Sequence, residues 1–213
     1  MKVQLPKIPA GLRETTDDVR ILKPKADCER IILRGIEALG VVAPKMTFDE
    51  SALDRVIAVN AAFDGISMMD TEVRGCDLSA AAFVGGSFRR VRFSNCRMAG
   101  IDLSRSTLTH ITFSGCKLDM ANFRFAKLSQ VRFEDCTFVE TDFQVGELSD
   151  VEFNDCTLEK VIFDQCKLRQ VDARGSQLSQ IHGWNHLRGL TIDHTQLMGI
   201  AHELASELGV KVE

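Results

Sequence analysis

None of the seven cysteines forms a Cys-x-x-Cys pair, which removes the usual spacing of thiol-redox centres and zinc ribbons. No apolar run approaches the ~20 residues that a membrane span needs. The opening stretch MKVQLPKIPAG has no apolar core of signal-peptide length, so a cytoplasmic protein without a membrane partner is expected. There is no Gly-x-Gly-x-x-Gly, Walker loop or His-Glu-x-x-His, so no nucleotide loop, catalytic metal or cofactor is indicated. Proline is absent after Pro44, which sets a short N-terminal stretch apart from a long proline-free body. The net charge of −4 exerts no global pull toward nucleic acid or membrane, and direct nucleic-acid binding is not expected.

What the chain does have is a period of five. Every fifth residue from Phe48 to Leu178 is apolar, and twelve of the thirteen phenylalanines fall in that series; Phe125 alone stands outside it. The residues two places earlier, from Val56 to Ser176, are all small or β-branched. The other three positions of each five are mostly polar. A period of five fits neither a helix at 3.6 nor a flat strand at 2. It fits a coil with four short sides, one large and one small side chain pointing inward from each. Coils stacked at roughly 4.8 Å make about eight turns, a rod ~38 Å long, between Ala26 and His182.

Residues twenty apart then form columns, such as Phe93, Phe113, Phe133 and Phe153. Cys76, Cys96, Cys116, Cys136 and Cys156 form another. Each of these cysteines follows a Gly, Asn or Asp, types that tolerate φ > 0, so the motif marks one corner of the coil. The cysteines read as small buried filler. His182, His186, His194 and His202 near the C-terminus read as solvated or capping residues, not metal ligands.

The fives CDLSA (Cys76–Ala80), IDLSR (Ile101–Arg105) and ANFRF (Ala121–Phe125) match the signature A(D/N)LXX, and over roughly residues 46–180 the sequence resembles the pentapeptide-repeat family. The resemblance implies an all-β solenoid, a right-handed quadrilateral β-helix, with no catalytic residues. The expected division is an arm over 1–25, the β-helix over 26–182, and a C-terminal strand and helical cap over 183–213. Family members of known role are quinolone-resistance and antibiotic-immunity proteins, dimeric rods whose acidic surface imitates B-form DNA and occupies DNA gyrase. The resemblance therefore implies a non-enzymatic protein that binds gyrase or another topoisomerase as a partial DNA mimic. The alternative is a general protein-interaction scaffold with an unrelated partner.

Charge is strongly sorted along the repeat. Between Gly86 and Arg132 there are nine bases and two acids; between Phe133 and Cys166 there are ten acids and one base, Lys160. DNA carries one charge per ~1.7 Å of axis. The acidic belt spans roughly 8 Å of rod and reaches that density locally. Its candidate partner-binding residues are Glu134, Glu140, Asp142, Glu147, Asp150, Glu152, Glu159 and Asp164; a solvated face is the plainer reading. Phe125 and Val145, neighbours on adjacent coils, form a candidate apolar contact. At the C-terminus Trp184, Leu197, Ile200, Leu204 and Leu208 are candidates for a cap over the last coil, or for a cap that also joins two rods. Asp193 or Thr195 is the expected N-cap of that helix and Gly209 its stop. The arm is expected to pack loosely.

Overall fold

The computed structural model describes residues 1–15, 19–207 and 209–212. Its body is a parallel β-solenoid of about nine turns, followed by one C-terminal helix, His194–Glu207. The strands Ser67–Arg74, Ser87–Ser94, Thr107–Ser114, Lys127–Glu134 and Glu147–Asn154 each run through a corner and stack on one another. The offset is twenty residues: Phe93 pairs with Phe113, Phe113 with Phe133, and Phe133 with Phe153. The other two sides are joined by single bridges, such as Arg97 with Lys117 and Asn122 with Asp142, except where Thr137–Val139, Thr157–Glu159 and Gln177–Ser179 pair as a three-stranded parallel sheet.

The five-residue side exists because the backbone turns at every fifth residue. From Lys25 to Gln180 each fifth residue has φ between 44° and 79°. One corner was expected to need φ > 0, from its Gly, Asn and Asp residues; all four corners do. Arginine, glutamine, Phe125 and Val145 adopt the left-handed conformation as well. They are held there by hydrogen bonds between coils, as where Asn95 N–H donates to Ser114 O at 2.8 Å, and by the packed interior.

That interior is a set of columns. The rings of Phe93, Phe113, Phe133 and Phe153 stack at 4.8, 4.9 and 5.0 Å, matching the rise per coil, so side chains and backbone share one spacing. At the small inward position a serine, threonine or cysteine donates to the carbonyl twenty-three residues earlier. Ser106 Oγ reaches Phe83 O at 2.9 Å, Thr141 Oγ1 reaches Leu118 O at 2.7 Å, and Cys96 Sγ reaches Val73 O at 3.5 Å. This contact satisfies a buried polar atom inside an apolar core. Cys76, Cys136 and Cys166 make the same contact as Cys96, and all seven cysteines are buried free thiols. Burial pushes the Cys28 and Cys166 thiols up to about 11.

The ends depart from the period. Arg13–Thr15 stacks on Ile31–Leu33 with an offset of eighteen, adding a partial turn to those counted from the sequence. The residues before it lie against the rod rather than loosely beside it. Lys7 N–H donates to Asp70 Oδ1 at 2.9 Å, Gln4 N–H to His110 Nδ1 at 3.4 Å, and the Met1 amine sits 3.1 Å from Glu152. The arm thus crosses successive coils, and its backbone N–H groups find side-chain acceptors there. Under it Asp70 and Arg90, twenty residues apart, form a buried ion pair with Arg90 Nε 2.7 Å from Asp70 Oδ1.

At the other end the helix seals the last coil with polar side chains. Asp193 is the N-cap: its Oδ1 accepts from Gln196 N–H at 2.9 Å, while Gln196 Oε1 accepts from Asp193 N–H at 2.7 Å, a reciprocal box. Gln196 Nε2 also donates to Ala173 O and Ser176 O, both at 2.6 Å. Glu203 accepts from Gln180 N–H at 2.8 Å and Ile181 N–H at 3.3 Å. These are the hydrogen bonds that another coil would have made.

Candidate partner-binding surface

The interior offers no room for a ligand. The voids among the core side chains near its two ends, one lined by Leu33, Phe48 and Phe83 and one by Phe153, Phe163 and Trp184, measure about 20 and 10 Å³. No group of three or more His, Cys, Asp or Glu among the described residues is placed to hold a metal ion. No described helix is long and apolar enough to cross a membrane. What remains for recognition is the outside of the rod, where stacking at twenty residues sets outward side chains in vertical ladders.

Those ladders change the meaning of the acidic belt, because many of its acids are paired with bases on adjacent coils. Arg132 Nε holds Glu152 at 2.8 Å, and Arg132 also lies 3.6 Å from Glu134. Arg124 holds Asp142 at 3.1 Å, Lys167 holds Glu147 at 3.3 Å and Lys160 holds Glu140 at 3.4 Å. Asp164 lies 3.9 Å from His186 Nδ1. The Glu152 carboxyl would be raised by burial, but the Met1 amine and Arg132 outweigh that and hold it below its ordinary value. Asp150 and Glu159 have no cationic partner among the described residues. The belt is therefore an ion-pair lattice with a few open acids. Opposite charges twenty residues apart, as in Arg132 and Glu152, are the sequence signal for these pairs.

Glu134 also borders an open groove of about 450 Å³ with Asp135, Asn154, Asp155 and Arg174. Phe125 is 45% exposed at a corner with φ 58°. The Arg105 and Arg124 guanidinium carbons stand over its ring at 5.3 and 5.9 Å, a cation–π arrangement. Val145, one coil on, is half-buried with φ 61°. At the cap, Ile200 is buried, Trp184 and Leu204 are half-buried and Leu197 is exposed; Leu208 lies outside the described residues. The helix therefore turns Ile200 onto the rod and Leu197, with Met198, toward solvent.

Comparison with known proteins agrees with this architecture. A family model described as a pentapeptide repeat region matches residues 86–163, and one described as pentapeptide repeats (8 copies) matches residues 147–182. No curated protein matches the sequence. Among solved structures, full-length QnrB1, a plasmid-mediated fluoroquinolone resistance protein, is 17% identical and superposes with a TM-score of 0.51, covering 93% of this chain and 98% of its own. HetL, a pentapeptide repeat protein involved in heterocyst differentiation regulation from the cyanobacterium Nostoc sp. strain PCC 7120, is 16% identical with a TM-score of 0.43, covering 81% and 88%.

Proposed function

Since this chain is a pentapeptide-repeat protein, we propose that it is a non-enzymatic binding rod that meets a protein partner along its outer sides. The observation that carries this reading is the contrast between a filled interior and outward ladders of ordered side chains in fixed register. A rigid ladder presents charge and apolar groups with little conformational entropy left to lose on association.

The partner we place first is DNA gyrase or a related topoisomerase, with quinolone or toxin protection as the outcome. This is supported by the ten acids between Phe133 and Cys166 and by the fold shared with QnrB1. The ion pairs bear against full DNA mimicry, since a duplex carries one uncompensated charge per ~1.7 Å. On this reading the acids free of close pairing, Asp150 and Glu159, with Glu140 beside its exposed lysine, carry the contact. A supercoiling assay with purified gyrase tests it. Micromolar protein should inhibit supercoiling or relieve quinolone-stabilised cleavage, and Glu140→Lys with Asp150→Lys and Glu159→Lys should abolish the effect. No effect from the unmodified protein removes gyrase and leaves the rod with a different partner.

A further inference from the structure

The N-terminal arm lies along one corner of the rod in a register of its own. Lys7 N–H meets Asp70 Oδ1 at 2.9 Å and Gln4 N–H meets His110 Nδ1 at 3.4 Å, so three residues of arm pass two coils. Three more bring the Met1 amine 3.1 Å from Glu152. Asp70, His110 and Asp150 hold this same corner on alternate coils, with φ of 44°, 56° and 55°. Two coils rise about 9.6 Å. A polyproline-type helix completes its three-residue turn in about 9.3 Å. A β-strand repeats every two residues, about 6.8 Å, and cannot keep that step. Burial follows the same count: Val3, Pro6, Pro9 and Leu12 are half-buried, and of the residues between them only Ile8 is not exposed. Burial, with Arg90 and Arg89 near, holds the His110 imidazole below its ordinary value, so Nδ1 stays available as an acceptor. Past Met1 the path continues as an open groove of about 410 Å³ lined by Asp150, Glu152, Gln170 and Asp172.

We propose that this corner is a docking track for a proline-rich segment of a partner protein, and that the arm is its resident occupant. The segment winds as a polyproline-type helix, sets an apolar residue or proline against the rod at every third position, and carries basic residues at the end that enters the acidic groove. The arm itself supplies the pattern, Val-x-x-Pro-x-x-Pro from Val3 to Pro9. The acceptors on alternate coils read backbone N–H groups, and the two-coil step reads the three-residue turn; neither reads the exposed residues between. The arm is held lightly, since none of residues 1–12 is fully buried and Leu5 is 54% exposed. A segment that also filled the groove would gain contacts that the arm lacks. A nucleic acid brings phosphates rather than N–H donors to Asp70, His110 and Asp150. An α-helix has spent its N–H groups internally, apart from its first turn. The track rests on the binding-rod reading but not on gyrase as the partner.

The full-length chain with Gln4→Pro and Lys7→Pro provides the test. Both changes remove a donating N–H while keeping a backbone angle that suits the helix, so they loosen the arm and leave the rod intact; circular dichroism checks the fold. The probe is the synthetic peptide MKVQLPKIPAG, lengthened by two arginines before its methionine and labelled at its C-terminus with fluorescein. By fluorescence anisotropy it should bind the loosened variant at least ~10-fold more tightly than the unmodified chain, where the tethered arm competes. Adding Glu152→Lys to the loosened variant should weaken the peptide at least ~10-fold. A peptide of the same composition, with its valine and prolines moved off the three-residue spacing, should bind far more weakly. No binding to the loosened variant at about 1 mM, the concentration a short tether supplies, overturns the proposal. So does equal binding of the rearranged peptide, which would reduce the effect to charge alone. Dimers of the loosened variant that the peptide dissolves would assign the track to the arm of a second copy, and also overturn it. Any of these results, with inhibition of gyrase supercoiling intact, would remove the track and leave the binding rod standing.

Discussion

Val145 shows how far the coil can override local preference. A β-branched residue at φ 61° is held in a conformation that disfavours it by about 1–2 kcal/mol relative to the right-handed region. Asparagine tolerates that conformation, so Val145→Asn should stabilise the protein by roughly 1 kcal/mol in urea unfolding. A loss of stability would mean that the half-buried Val145 side chain packs more tightly than its corner position implies. Asp70 makes the opposite case. Removing its carboxylate leaves Arg90 buried without its partner, and Asp70→Ala should cost about 3–5 kcal/mol. Burial alone would raise the Asp70 carboxyl, but hydrogen bonds from Arg90 and Lys7 hold it below its ordinary value of 3.8. Its contribution is therefore present above that value and fades as pH falls through the lower folded value. Acid unfolding of the native chain should steepen below about pH 4, and Asp70→Asn should flatten that part of the curve. Neither residue announced itself in the sequence. Valine carries no left-handed signal, and the Asp70–Arg90 pair appears only when residues twenty apart are compared.

The secondary-structure elements divide between those the period dictates and those it does not. The strands from Ser67 to Asn154 follow from the inward residues alone, because a large and a small apolar position per side fix both register and facing. Three of the four corners were not legible, since arginine, lysine and glutamine there carry no turn preference; closure of the coil imposes their geometry. The arm was illegible for another reason. Its contacts with Asp70 and His110 use backbone N–H groups, which leave no trace in residue type. The C-terminal helix was readable as a helix, but its apolar face misled as to its role. Ile200 is its only buried residue, while Gln196 and Glu203 close the exposed backbone of the final coil. Gln196→Leu keeps the size of that side chain but removes its polar atoms. It should destabilise the chain by about 1–3 kcal/mol, with hydrogen exchange rising at residues 173–181 and not at the centre of the rod. Uniform loss of protection along the chain would show instead that the last coil unfolds only with the rest.

Taken from end to end, the rod's overall architecture was readable and its surface was not. The solenoid, its proline-free span and the position of the cap follow from one periodicity. The compensation of the acidic belt by Arg124, Arg132 and Lys167 depends on how long side chains reach between coils. A repeat array is held mainly by nearest-neighbour contacts, so its stability is close to a sum over turns. One consequence follows from the constant twenty-residue offset. Excising residues 107–126 should rejoin Ser106 to Lys127 in an unchanged environment and give a shorter, folded protein with cooperative melting. Excising five residues, 107–111, should also keep the inward pattern, yet rotate everything downstream by a quarter turn about the long axis. Thermal melts would compare the two deletions. The second should fare worse, because phenylalanine columns and charge ladders would no longer line up across the join. Changes of length are thus tolerated in whole turns, which ties the dimensions of such a molecule to increments of its own pitch.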